Sequence, residues 1–243
     1  MIKRIWSYWE GSQPEIVKKS IESWKKYLPD WEIIVLDKES LKQYPIEKPA
    51  SYETLTPTTR SDVIRLSLLF LYGGVWMDAS IILLENFDWL DAYVEQPYYG
   101  FVWREQRKQF IESWFIFAPR PLEPTFNAWL ATLNSILDTI PYDDHVAYTS
   151  PCTHDNSYFM IYQAFCYLVD TNPTFSETFK NISFGCTRKY MYNPLIPLKN
   201  HHRLIKFTKD GRTLLKYTPF PVMYIILVVF IYLSYFFIRR NKK

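Results

Sequence analysis

Residues 58 to 84 read TTRSDVIRLSLLFLYGGVWMDASIILL, and this stretch constrains the fold more than any other. Thr58 to Tyr72 predicts a helix capped by Thr58 or Thr59. The run VIRLSLLFLY leaves it apolar on most faces, so it has to be enclosed by other elements. Gly73-Gly74 ends it in a tight turn. Val75 to Leu84 then predicts a central strand with Asp78 in its middle.

Three charged residues stand out in this apolar unit. A carboxylate in VWMDASIILL costs several kcal/mol if buried alone, so Asp78 must meet a cation, a metal or a set of donors. Asp62 and Arg65 lie three apart and share one helix face. The plain readings are a buried ion pair of Asp78 with Arg65 or Arg60, and an intrahelical salt bridge. The sharper reading uses the Gly-Gly turn, which ties the helix directly to the strand and brings all three charges to one crevice. In a parallel sheet that crevice opens at the carboxyl ends of the strands. Arg65 is then placed to neutralise a phosphate, or Asp62 to take sugar hydroxyls.

The rest of the chain supplies a β-α-β opening. Lys3 to Tyr8 predicts a strand, Pro14 to Tyr27 a helix with Ile16, Val17, Ile21 and Trp24 on one face, and Trp31 to Leu36 a buried strand. A parallel α/β sheet is the expectation. Pro45, Pro49 and Pro57 punctuate residues 40 to 57 as loop or short helices. Trp114 to Ala118 predicts a further strand, and Thr125 to Ile140 and Asn156 to Val169 two amphipathic helices. Residues 171 to 215 are mixed, and no internal repeat is visible.

Composition narrows the classes. With 243 residues, 48 % of them apolar and 22 % charged, the chain can bury a core and is not disordered. A net charge of +3 is too small to imply nucleic acid. Cys152, Cys166 and Cys186 are too few for a disulfide framework or a Cys-rich zinc site, and reduced core thiols are expected.

The apolar run of the N-terminus stops at Glu10, which is not a signal-peptide pattern. The C-terminal run FPVMYIILVVFIYLSYFFI carries no charge. Its roughly 19 residues, at ~1.5 Å each, cover most of a ~30 Å hydrocarbon core. The expectation is therefore a transmembrane helix at 219–238 with a basic tail at 239–243, following a domain of residues 1–215. Its alternatives are a buried C-terminal helix or an interfacial hairpin. Basic residues on both sides leave the orientation open. The missing signal peptide favours a membrane-localised, single-pass C-terminal anchor with the main domain cytoplasmic.

The stretch RSDVIRLSLLFLYGGVWMDASI, the opening IWSYWEG and the run SIESWKKYLPDWEIIVLD together carry a resemblance. They resemble the signature of the capsular polysaccharide synthesis proteins, which belong with the family 32 glycosyltransferases and the clostridial-type sugar-transferring toxins. The likeness is good over about residues 2 to 90 and loose over 110 to 207. It implies an α/β, GT-A-like, Rossmann-type domain binding a nucleotide-sugar donor, UDP-linked by preference. It also implies transfer to a glycan or lipid-linked glycan acceptor, usually with retention, in capsule or surface polysaccharide synthesis. By the same resemblance Asp62 and Arg65 match the pair that holds the donor sugar and phosphates. Asp78 matches the first Asp of an Asp-x-Asp motif, and Trp9 the aromatic that can stack on uracil. Asp62, Arg65 and Asp78 are the expected catalytic residues; Trp9, Gly74 and Ser80 join them in donor binding.

Ser80 stands where the second Asp usually sits, which weakens the case for a hard divalent cation. The implied Mn2+ or Mg2+ would fall to Asp78, Ser80 and His202, the last in a His-Arg-Leu run like the family's late His-Lys-Leu. Asp155 is the acceptor-side candidate, and Trp103, Trp114 and Tyr158 are candidate sugar platforms. The competing class is a non-catalytic, membrane-bound glycan-binding or scaffold relative.

Overall fold

A computed structural model describes residues 1–102, 110–139, 160–191 and 203–207 of the chain. The elements are β1 (Arg4–Tyr8), α1 (Glu15–Tyr27), β2 (Glu32–Leu36), α2 (Pro57–Tyr72), β3 (Gly74–Met77), β4 (Ile81–Leu83), β5 (Tyr99–Val102), β6 (Ile111–Ala118), α3 (Pro124–Thr139), α4 (Met160–Thr171), α5 (Pro173–Asn181), β7 (Gly185–Cys186) and β8 (Leu204–Lys206).

The main sheet runs β2-β1-β3-β6-β5-β7, and β4 pairs separately with β8. β1 is parallel to both β2 and β3, as the β-α-β opening requires. The sheet is mixed, however: β6 pairs antiparallel with β3 and with β5. This corrects the expectation of an all-parallel sheet. The opening motif speaks only for the strands it joins, and β6 carries no local sign of its partner's direction.

Alternation along the strands splits the interior in two. Trp6, Trp76 and Ile116 face one core, which also holds Leu66, Leu69, Trp129 and Phe165. Ile5, Val75 and Phe117 face the other, with Trp24, Leu28 and Phe101. α2 packs on β1, β3 and β6 on one side and on α3 and α4 on the other, which explains a helix without a polar face. Thr56, not Thr58 or Thr59, caps it, accepting from the Thr59 backbone N–H at 3.2 Å, with Pro57 leading the first turn.

Gly73 and Gly74 both have positive φ, 63° and 92°. A Cβ on Gly74 would stand 2.7 Å from the Arg4 carbonyl oxygen, so the turn needs glycine for closeness as well as for φ.

The predicted strand Val75–Leu84 is two strands. Asp78 to Ser80 breaks it: the Asp78 carbonyl accepts from the Ile81 N–H at 3.1 Å, and the chain leaves the main sheet for the β4–β8 pair. α5 lies in the span read only as mixed; the Asn172 side chain caps it at 3.0 Å. Cys166 is disulfide-bonded, which corrects the expectation of reduced thiols, while Cys186 is free.

Among the described residues no helix is long and apolar enough to cross a membrane. The expected C-terminal single-pass anchor therefore has no support, and the membrane localisation built on it is corrected. The segments 219–238 and 239–243 themselves lie outside the described residues.

Candidate functional site

The carboxyl ends of β1 and β3 open into a cavity of about 740 Å³. Tyr8, Trp9 and Glu10 line it after β1, and Asp78, Ala79 and Ser80 after β3. α2 contributes Thr58, Ser61, Asp62 and Arg65, whose spacing is one helical stripe. Glu112 to Trp114 of β6, Tyr162 of α4 and Lys206 of β8 complete the polar wall. The position is the one that strand direction assigns to ligands in open α/β sheets.

Arg65 organises the floor. Its side chain is 4 % exposed. Nη2 donates to Ser61 Oγ at 2.9 Å and lies 3.2 Å from Asp62 Oδ1 and 3.4 Å from Asp78 Oδ1. The guanidinium sits 4.9 Å from the centre of the Trp76 ring. Nε and Nη1 are buried without a hydrogen-bond partner among the described residues. Each such donor costs roughly 1–3 kcal/mol until an acceptor arrives.

The two carboxylates next to Arg65 differ in charge preference. Burial pushes Asp62 up to about 7, Arg65 opposing and the charge of Asp78 adding. Burial acts on Asp78 as well, but the Lys206 ammonium and the Arg65 guanidinium outweigh it, helped by hydrogen bonds from Lys206 and Trp76. Asp78 is thus held below the ordinary carboxylate value and stays ionised. Trp76 Nε1 donates to Asp78 Oδ1 at 3.1 Å, and Lys206 Nζ donates to Asp78 Oδ2 and, at 3.2 Å, to Ser80 Oγ.

On β6, Ser113 Oγ lies 2.9 Å from the Tyr162 hydroxyl, which donates to Glu112 at 3.3 Å. Burial and the charge of Glu112 hold Tyr162 well above an ordinary phenol, so it remains a neutral donor.

Of the residues singled out from sequence, Asp62, Arg65, Asp78, Ser80, Trp9 and Trp114 all line the cavity. Of the two arginines expected to pair with Asp78, Arg65 does so, beside Lys206; Arg60 instead holds Glu10, at 3.0 and 2.9 Å. Gly74 opens β3 at the strand end away from Asp78, wedged against Arg4, and serves the turn. Trp9 is half-buried and anchored by its Nε1 to the Ser12 carbonyl at 3.1 Å. The Trp114 ring stacks on Phe101 at 4.8 Å and 10°, so core packing and cavity wall are one role. Trp103, Asp155, Tyr158 and His202 lie outside the described residues.

Two wall residues escaped the sequence reading. Glu112 sits in IESWFIFA, the same signal as Asp78: a carboxylate in an apolar strand. Lys206 belongs to a run read as basic flank, although its neighbours Ile205 and Phe207 are fully buried.

The described residues do not fit a divalent cation between Asp78 and Ser80. Lys206 already spans the two, and Asp78 Oδ1 is taken by Trp76 and Arg65. No group of three or more His, Cys, Asp or Glu side chains able to hold a metal occurs among the described residues.

Comparison with known proteins places the chain in a family. The sequence model of the capsular polysaccharide synthesis protein family matches residues 1–218. The glycosyltransferase afumC of Aspergillus fumigatus is 30 % identical over 103 residues, 35 % of this chain and 26 % of that protein. The O-glycosyltransferase braB of Annulohypoxylon truncatum is 31 % identical over 101 residues, 35 % of this chain and 24 % of that protein. The match thus spans about a quarter of the length of these curated relatives. Among solved structures, the PaToxG glycosyltransferase superposes with a TM-score of 0.43 at 18 % identity, covering 73 % of this chain and 72 % of that one.

Proposed function

The chain belongs to the capsular polysaccharide synthesis family, and from that premise we propose that it is a glycosyltransferase using a nucleotide-sugar donor. Residues 1–215 form its GT-A-like catalytic domain, and the donor is a UDP-sugar by preference. The observation that carries the reading is the buried Asp62–Arg65–Asp78 cluster at the carboxyl ends of β1 and β3, beside a cavity of about 740 Å³.

The chemistry needed is modest. The acceptor oxygen forms a bond to the anomeric carbon, and the bond from that carbon to the diphosphate oxygen breaks. The electron pair leaves on the nucleoside diphosphate, and the acceptor proton passes to a diphosphate oxygen. Entry of the acceptor on the leaving-group face retains the anomeric configuration. What limits the rate is charge on the departing diphosphate, and a preorganised cation in a site shielded from water lowers that barrier. Arg65 fits the task, since two of its guanidinium nitrogens, Nε and Nη1, have no hydrogen-bond acceptor among the described residues. Asp62 and Asp78 hold the guanidinium in place, and Asp62 is positioned for sugar hydroxyls. Trp9 supports base stacking at the end of β1, and Glu112 with Tyr162 supports the acceptor side.

A second reading, a glycan-binding relative without turnover, is favoured by one observation: both oxygens of Asp78 are already engaged by cations. Nucleotide release separates the two. UDP- and GDP-sugars are incubated with the chain and the freed nucleotide is measured, wild type beside Asp78→Asn. Release from one donor, lost at least about a hundredfold in a folded Asp78→Asn variant, supports the transferase. Glycan binding with no release from any donor supports the second reading.

A further inference from the structure

We propose that Lys206 takes the place of a divalent cation in this site: its ammonium bridges Asp78 and Ser80 and, with Arg65, neutralises the diphosphate of the donor without metal. The proposal rests on the nucleotide-sugar reading above.

The ammonium reaches the two side chains that would be the natural first ligands of a cation, Asp78 Oδ2 and Ser80 Oγ. Backbone pairing fixes it there. Lys206 lies opposite Ile81 in the β4–β8 ladder, its N–H donates to the Tyr190 carbonyl at 2.7 Å, and the next N–H, of Phe207, donates to the Ser80 carbonyl at 3.1 Å. Ile205 and Phe207 on either side are fully buried, so the strand cannot rotate the lysine away. The Lys206 side chain keeps 12 % of its surface and lines the cavity.

A Mg2+-like ion at a phosphate site is held by one or two carboxylates with open coordination, together with waters and substrate phosphates. Asp78 and Ser80 offer one carboxylate, half committed to Arg65 and Trp76, and one neutral hydroxyl. To bind, such an ion would have to displace a lysine from both. Two cations, Arg65 and Lys206, already stand at Asp78, and Glu10 is matched by Arg60, so a metal ion would meet like charge there.

The test measures binding of UDP, GDP and ADP to the full chain by titration calorimetry, once in EDTA and once in Mn2+. The variants are Lys206→Met, unbranched, neutral and one atom shorter, and Lys206→Arg, with near-UV circular dichroism as the check on folding. The expected result is a Kd for one nucleotide that agrees within about threefold in EDTA and Mn2+. Lys206→Met should weaken it about tenfold or more in EDTA, the loss expected for one charge-assisted hydrogen bond, and Lys206→Arg should recover most of it. Partial rescue of Lys206→Met by Mn2+ supports the proposal further, because a lysine with a merely structural role would not make binding metal-dependent on removal. Wild-type binding that requires Mn2+ overturns the proposal and leaves the transferase reading standing, as does a folded Lys206→Met with unchanged affinity. Failure of all three nucleotides in both conditions overturns the reading and the proposal together.

Discussion

Asp62 and Asp78 are the same side chain in two environments, both beside Arg65. Asp78 meets a second cation and a Trp N–H and remains charged; Asp62 has Arg65 and is pushed up to about 7. The consequence for stability has a definite sign. Between the ordinary Asp value near 4 and about 7, the folded chain holds a proton on Asp62 that the unfolded chain has released. Stability from this group is therefore full at low pH and declines as pH rises through that window. Asp78 works the other way, its contribution present above pH 4 and lost below it. Asp62→Asn should remove the first effect: a thermal melt of the variant should be flatter between pH 5 and 8, with Tm above wild type at pH 8. A variant that loses stability at pH 8 would mean that the ionised Asp62–Arg65 pair outweighs the burial cost.

At the scale of elements, the turn between α2 and β3 sets the site. It fixes the distance between the stripe of Asp62 and Arg65 and the end of the strand carrying Asp78. Gly74→Ala should cost roughly 1–3 kcal/mol from φ strain alone, with the contact to the Arg4 carbonyl added. Urea unfolding measures it. Leu69→Ala, in the last turn of the enclosed helix and 0 % exposed, should cost about 2–5 kcal/mol in the same assay. This unit was legible in the sequence because its signals are local: apolar runs, a Gly-Gly turn, and charges where none belong. The break at Asp78–Ser80 was not, since VWMDASIILL is a good strand throughout. It is the pairing of β4 with β8, settled far away in sequence, that bends the chain out of the main sheet. Glu112 carried the same signal as Asp78 and was readable. Lys206 was not, because Asp78 and Ser80, which it holds, lie 128 and 126 positions earlier.

For the whole molecule, the two cores share one sheet. Trp6 and Trp76 belong to one, and Ile5 and Val75, their neighbours in the chain, to the other. Neither core can loosen without disturbing strands that carry the second. Unfolding of the described architecture should be a single cooperative transition, with near-UV circular dichroism, tryptophan fluorescence and far-UV signal coincident. Separate midpoints would show that the cores melt independently. The α/β class and the two halves of the opening motif could be read from periodicity, whereas the antiparallel β6 and the helix α5 depended on partners that no window of sequence contains.

The distance along the chain between Lys206 and Asp78 also orders events in time. Arg65 is only 13 residues from Asp78, while Lys206 is 128 residues from it. A chain made from its N-terminus therefore gives Asp78 its first counterion almost at once and its second only 128 residues later. Until then the carboxylate has half its compensation, and the loop that must close to bring the lysine in is long, with an entropic cost that grows slowly with length. The charge set around Asp78 is consequently closed only when β8 docks on β4, so a chain stopped before residue 204 would lack its second counterion.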